Sequence, residues 1–246
     1  MKKRGIFILL ALGILITSLG FFIREFPDVR ILKNHHPVIF TQGFTRPKVF
    51  FVKNKPLEWV SLSDISEKTL GAILVSEDWA FYHHNGLDPN QIKKALEINW
   101  QKGRFVRGAS TITQQVVRNI FLNKDKNLWR KFKEIILALR LEKELSKNEI
   151  LEIYLNIAEW GEGLYGIGPA SRYYFNKHPS ELTAKEGAFL AVLLPSPRKY
   201  SRTFREQGLT EFAFNRMENI LQKMTQAQYL TAEEYQEESS EPLVLN

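Results

Sequence analysis

Glu77-Asp78-Trp79-Ala80-Phe81-Tyr82-His83-His84-Asn85-Gly86 and, about thirty residues later, Gly108-Ala109-Ser110-Thr111-Ile112-Thr113-Gln114-Gln115 are the stretches that organise this chain. The second is a run of small and polar residues around one isoleucine, with two adjacent amides. A packed core has little use for it, because each buried hydroxyl or amide must find a hydrogen-bond partner. A site for a polyhydroxylated or phosphate-bearing ligand has every use for it. Glu77 follows the apolar run Ala72-Ile73-Leu74-Val75, so it leaves a helix that is otherwise buried. On a continued helix Asp78 would point about 100° away from it, so the two carboxylates have different tasks: one faces a cleft while the other braces backbone.

The residues around these stretches predict helices. Capping boxes, in which a cap hydroxyl or carboxylate is followed three residues later by Glu or Gln, recur along the chain. Thr111 with Gln114, Ser146 with Glu149, Thr183 with Glu186 and Thr231 with Glu234 are four; Asp88-Pro89-Asn90-Gln91 adds a proline at the first helical position. Leu128, Phe132, Ile135 and Leu139 form an apolar stripe of helical period. Gly161 to Gly168 is a glycine-rich break between helices, and strand signals are few. The fold class is therefore mainly α.

The chain has 246 residues, 44% hydrophobic, enough for one sizeable domain. It has no cysteine, which excludes disulfides, zinc–thiolate sites and thiol nucleophiles. The net charge of +7 suits an anionic membrane surface, a phosphorylated substrate or nucleic acid, and by itself does not choose among them. The five histidines fall in no metal-ligand spacing. Ser196-Pro197-Arg198-Lys199 matches the Ser-x-x-Lys of penicillin-binding transpeptidases only formally, with no companion motif.

The N-terminus narrows the partners. Lys2, Lys3 and Arg4 precede an uncharged apolar stretch from Gly5 to Ile23, which ends at Arg24. As a helix it would rise about 28 Å, the hydrocarbon thickness of a bilayer. The basic cluster then stays cytoplasmic. A cleaved signal peptide fits less well: the apolar run exceeds a usual signal core, and Phe21-Phe22-Ile23 is bulky where a peptidase needs small residues. The expected organisation is a cytoplasmic tail (1–4), a transmembrane helix (5–23), a stalk and entry segment (24–61), a catalytic domain (62–236) and a loose polar tail (237–246). Within the stalk, Pro27, Pro37, Pro47 and Pro56 oppose long helices, and Lys48-Val49-Phe50-Phe51-Val52 reads as a strand. Phe40, Phe44, Phe50 and Phe51 either pack onto the domain or lie at a membrane interface.

Three further segments complete a pattern. Arg130, Lys133, Glu134 and Leu137 share a helix face, on which two cations flank a carboxylate. Lys147 to Asn156, and Ala170 to Lys177 with Leu182 to Ala191, carry polar residues (Glu152, Tyr154, Asn156 and Glu186) among apolar positions of helical period. With the two opening stretches and Arg130-Lys131-Phe132-Lys133-Glu134, these five motifs in order resemble the peptidoglycan glycosyltransferases (glycosyltransferase family 51), over residues from about 70 to about 200. The size, the N-terminal anchor and the lack of transpeptidase motifs resemble its monofunctional branch. Two positions depart from the pattern: Arg118 stands where the family usually has Lys, and Lys126 where an Arg is often found. Both keep the charge but present it differently to a pyrophosphate.

The resemblance implies a lysozyme-like helical fold on a single transmembrane helix, in the cytoplasmic (inner) membrane with the catalytic domain outside. It implies polymerisation of lipid II into β-linked glycan with inversion and release of undecaprenyl pyrophosphate, and no transpeptidation. Glu77 would be the general base and Glu134 the second catalytic carboxylate, organising the cations or holding a divalent ion (Mg or Mn); the sequence itself requires no cofactor. Asp78, Phe81, His84, Gly86, Ser110, Thr111, Gln114, Gln115 and Asn119 would hold substrate, and Arg118, Lys126, Arg130 and Lys133 would face the pyrophosphate. The expected partners are lipid II, the growing strand, the membrane and proteins of a cell-wall synthesis complex, not nucleic acid. Trp100, Lys102, Arg104, Phe105 and Arg107 mix aromatic and basic residues as an interfacial segment does, and equally as an exposed loop does. The rival readings are a membrane-anchored muramidase or lytic transglycosylase, and a non-catalytic scaffold.

Overall fold

Thr183 opens the helix around which the rest is built. In the computed structural model, which describes residues 7, 8, 12, 13, 15, 17, 18, 20, 25–41, 47–106, 108–123, 125 and 127–246, every residue of Ala184–Leu193 is buried. A helix buried on every side, even at Lys185 and Glu186, belongs in the middle of a core. Helix α1, Glu67–Glu77, and helix α9, Glu211–Gln226, pack against this central helix, α7. The approach of α1 is close: a Cβ on Gly187 would stand 2.8 Å from the Thr69 Cα, so only glycine allows the crossing.

The other helices are α2 (Pro89–Lys102), α3 (Ile112–Phe121), α4 (Leu128–Glu144), α5 (Lys147–Ile157), α6 (Ile167–Phe175), α8 (Pro197–Gln207) and α10 (Ala232–Ser240). Helix α3 packs on both α4 and α5. The five expected caps all form: Asp88 accepts the Gln91 N–H, and Thr111, Ser146, Thr183 and Thr231 each close a full capping box. Each cap is worth about 0.5–2 kcal/mol. The described strands make two antiparallel ribbons, β1 (His36–Phe40) with β2 (Lys48–Val52), and β3 (Glu159–Gly161) with β4 (Leu164–Tyr165).

Alternation along the first ribbon divides the stalk aromatics. Phe51 stacks on Phe121 at 6.1 Å, whereas Phe40 and Phe50 meet edge-on on the outer face and stay exposed. Phe44 lies outside the described residues. Within the stalk and entry segment, Phe26, Val29, Leu32 and Val60 are buried in the main core.

Two expectations change. The stripe Leu128, Phe132, Ile135, Leu139 is not the core face of α4: Leu128 is 90% exposed and the buried positions are Glu134, Leu137, Ala138 and Leu141. A buried ion-paired glutamate outweighs two aromatic or aliphatic side chains there, which period alone does not reveal. The polar tail is not loose. Glu238 accepts from the Ala184 and Lys185 N–H groups (3.1 and 2.9 Å), putting a carboxylate at the positive end of α7, and the Asn246 N–H bonds the Tyr174 carbonyl at 2.8 Å. The expected span at 5–23 falls largely outside the described residues, as does the tail 1–4. Phe7, Ile8, Leu12, Gly13, Leu15, Thr17, Ser18 and Gly20 within it are helical and exposed. Among the described residues no helix is long and apolar enough to cross a membrane.

Candidate active site

Helix α1 ends at Glu77, and Asp78 leaves helical geometry at the cap (φ −158°, ψ 75°). This break separates the two carboxylates. Asp78 turns inward, where its oxygens take the His84 Nε2–H (2.9 and 3.1 Å) and the Ile112 N–H (2.9 Å). It therefore clamps the first residue of α3, satisfying one of the donors that every helix start leaves open. His84 receives the Gly86 N–H on Nδ1 at 3.2 Å, an arrangement that places its proton on Nε2. Thr111 donates its hydroxyl to the Gly86 carbonyl at 2.7 Å while capping α3. Phe81, fully buried, meets the His84 ring edge-on and lies beneath the Lys147 ammonium at 4.4 Å. Asp78, Phe81, His84, Gly86, Thr111 and Gln114, expected at the substrate, thus form the frame that joins the two motifs. Gln114 is committed to its capping box.

Gly86 has φ +85°, and a Cβ there would stand 3.2 Å from the Ala138 carbonyl oxygen. Gly86→Ala is expected to cost about 1–3 kcal/mol, measured as a lower urea midpoint at unchanged slope.

Glu77 stays at the surface of this frame, half-buried. Its Oε2 accepts from the Gln115 amide at 2.9 Å, and Gln115 Oε1 accepts from Arg118 at 3.5 Å. Burial raises the Glu77 carboxyl above the ordinary carboxylate value; the Gln115 hydrogen bond and the charges of Arg216 and Arg118 offset part of the rise, and Asp78 adds to it. The Tyr154 hydroxyl is buried with no hydrogen-bond partner among the described residues. Burial holds that phenol well above its usual value, and the Glu77 charge pushes the same way.

The cations form a second group. Glu134, 1% exposed, is held by Arg130 and Lys131, and Lys131 also donates to the Ser110 hydroxyl at 3.1 Å. The expected flanking pair was Arg130 and Lys133; Lys131 takes the second place, and Lys133 instead pairs with Glu25 at 2.7 Å. With both oxygens committed to cations, Glu134 does not fit a divalent-ion ligand. No group of three His, Asp or Glu side chains suited to a metal gathers among the described residues. A cleft of about 290 Å³ lies between Arg130, Lys133, Trp129, Asn127 and the segment at Glu25 and Pro27. Asn119 is exposed on α3, and Lys126 lies outside the described residues.

Sequence reasoning passed over Lys131, Arg216 and the catalytic-side position of Tyr154. Lys131 stands in the quoted motif and only the side-chain direction selects it. Arg216 carries no local signal, since its charge acts on Glu77 from α9, in the last part of the chain.

Comparison with known proteins follows the same residues. A family model described as transglycosylase matches residues 47–225. Penicillin-binding protein 1A of Aquifex aeolicus is 35% identical over 243 residues, covering 98% of this chain and 33% of that protein. Biosynthetic peptidoglycan transglycosylases of Dechloromonas aromatica and Paraburkholderia xenovorans are 44% and 46% identical over 152 and 142 residues. Those matches cover 62% and 58% of this chain, and 66% and 59% of the relatives. The chain thus spans a third of the first relative and somewhat under two thirds of the other two. A crystal structure of penicillin-binding protein 1A from Haemophilus influenzae overlays with a TM-score of 0.44 at 21% identity, covering 86% of this chain and 21% of that one, too distant to bear on the fold. With a match across most of its length that takes in both opening motifs and the cation helix, this chain belongs to the transglycosylase family.

Proposed function

We propose that this chain is a peptidoglycan glycosyltransferase that polymerises lipid II, and that Glu77 is its general base. The observation that supports this most is the setting of Glu77: a half-buried carboxylate of raised pKa, hydrogen-bonded to Gln115 and backed by Arg118. Desolvation of this kind brings a carboxylate towards the proton affinity that a base needs at neutral pH. Glu77 takes the proton of the acceptor 4-hydroxyl as that oxygen attacks the anomeric carbon of the growing chain. The bond from that carbon to the pyrophosphate oxygen breaks on the opposite face, and the configuration inverts. The leaving group departs as an anion and needs positive charge rather than a proton. Arg118 and the group formed by Arg130, Lys131 and Lys133 supply it; Glu134 fixes the direction of Arg130 and Lys131.

Cleavage of finished glycan, the rival chemistry, releases no pyrophosphate and has no use for these cations. Labelled lipid II in detergent separates the two: polymer and free undecaprenyl pyrophosphate support the transferase, and cleavage of preformed glycan in their place overturns it. Arg118→Ala is expected to lower turnover about tenfold to a thousandfold with a melting temperature changed by less than about 2 °C. A collapse in stability with normal turnover of the folded fraction would make Arg118 a structural residue.

A polyprenyl-linked substrate keeps the reaction at a bilayer surface. The lysozyme-like architecture, the span at 5–23 and an extracytoplasmic domain belong to the same proposal. The exposed Trp100 and Phe105, beside Lys102 and Arg104, suit the interface there.

A further inference from the structure

Lys133 lines the cationic cleft, yet its charge is already answered. Glu25 Oε2 accepts from its ammonium at 2.7 Å and from the Trp129 indole N–H at 3.2 Å. Glu25 comes from outside the helix that carries both donors, from the segment leading into the domain. Its neighbour fixes it there: Phe26 is buried against Trp129 and Phe132, at 6.3 and 6.5 Å, with the Arg140 guanidinium 5.2 Å above the ring. The carboxylate therefore reaches into the cleft as one of its walls, beside Pro27, Arg130 and Lys133.

We propose that Glu25 is the resident counter-ion of this cleft and a determinant of its specificity: an incoming anion must displace the Glu25 carboxylate from Lys133. Space permits the exchange, since the cleft of about 290 Å³ has room for a diphosphate. Charge decides which ligand succeeds. Arg130 is engaged with Glu134, and Asp125 also lines the cleft, so an anion with the single charge of a carboxylate gains little by replacing one. A diphosphate brings several charges and more acceptor oxygens to the same cations. The Lys133 and Glu25 side chains are 18% and 29% exposed, so the pair is weak enough to yield: an ion pair near the surface shifts an equilibrium by up to about fivefold. That the natural anion is a lipid-linked pyrophosphate rests on the function proposed above; the competition for Lys133 does not.

The test is calorimetric titration of the full chain in detergent micelles with inorganic pyrophosphate at fixed low ionic strength. Glu25→Gln keeps the length and an acceptor oxygen for Trp129 but removes the charge. It is expected to bind pyrophosphate about twofold to fivefold more tightly, and the gain should shrink at high salt. In a Lys133→Ala background the gain should be clearly smaller, since only the direct repulsion between Glu25 and the anion is then relieved. Unchanged affinity of Glu25→Gln, or an equal gain without Lys133, overturns the proposal. Should Glu25→Gln not fold, Glu25→Asp, which keeps the charge and loses the reach, is expected to tighten binding likewise, and unchanged affinity there overturns it too. Polymerisation of lipid II is followed in parallel: its absence from every variant would sink the proposed function while leaving the pyrophosphate result to stand by itself.

Discussion

Glu77→Gln is expected to reduce lipid II polymerisation by about two to four orders of magnitude, the usual cost of losing a general base, while the protein remains folded. The amide keeps the shape of the carboxylate and can still bond Gln115, so the loss reports proton transfer and not geometry. The raised pKa of Glu77 gives two further signs. Turnover needs the ionised form, so the acidic limb of the rate profile should lie above the ordinary carboxylate range, with activity lost as pH falls through the raised value. The folded protein also holds this proton more tightly than the unfolded chain does, so ionising Glu77 costs folding stability at pH values above the raised pKa. Glu77→Gln removes that cost, and its melting temperature at neutral pH should equal or exceed that of the parent. Near-normal turnover in the folded mutant would take Glu77 out of the base role. A marked fall in its melting temperature would show that the carboxylate is a structural acceptor.

Asp78→Ala is expected to have the largest effect on stability. The carboxylate is 5% exposed and accepts from His84 and from the Ile112 N–H. Its loss leaves both donors buried without partners, at about 1–3 kcal/mol each. In a chain of this size each kcal/mol lowers the melting temperature by about 2–4 °C, so a fall of roughly 4–24 °C should appear in thermal unfolding. Asp78→Asn keeps one acceptor and should fall between. Turnover should drop with it, since the start of α3 loses its clamp and Gln115 is carried on that helix. A melting temperature of Asp78→Ala within about 1 °C of the parent would mean that the clamp carries no strain and that another contact joins the motifs.

Much of the fold was legible without coordinates. The caps at Asp88, Thr111, Ser146, Thr183 and Thr231 form as read, because a cap is settled by residues three positions apart. The separate tasks of Glu77 and Asp78 were also foreseen, although a helix end separates them rather than a continued helical turn. Period failed on α4, where Glu134 is inside and Phe132 half outside, since a pattern of apolar positions does not register a carboxylate neutralised by two neighbouring cations.

By itself, then, the sequence determined the mainly helical class, the helix starts and the two motifs that meet at Glu77. Its local chemistry acts over three or four residues, and those distances are set by the backbone. Only the tertiary structure decided that Asp78, His84 and Thr111 are framework, that Lys131 rather than Lys133 holds Glu134, and that Glu25 answers Lys133. Several cations were available to each carboxylate along the chain. Which one lies within hydrogen-bond reach depends on how helices far apart in sequence pack, and ion pairing falls off over a few ångströms of that packing.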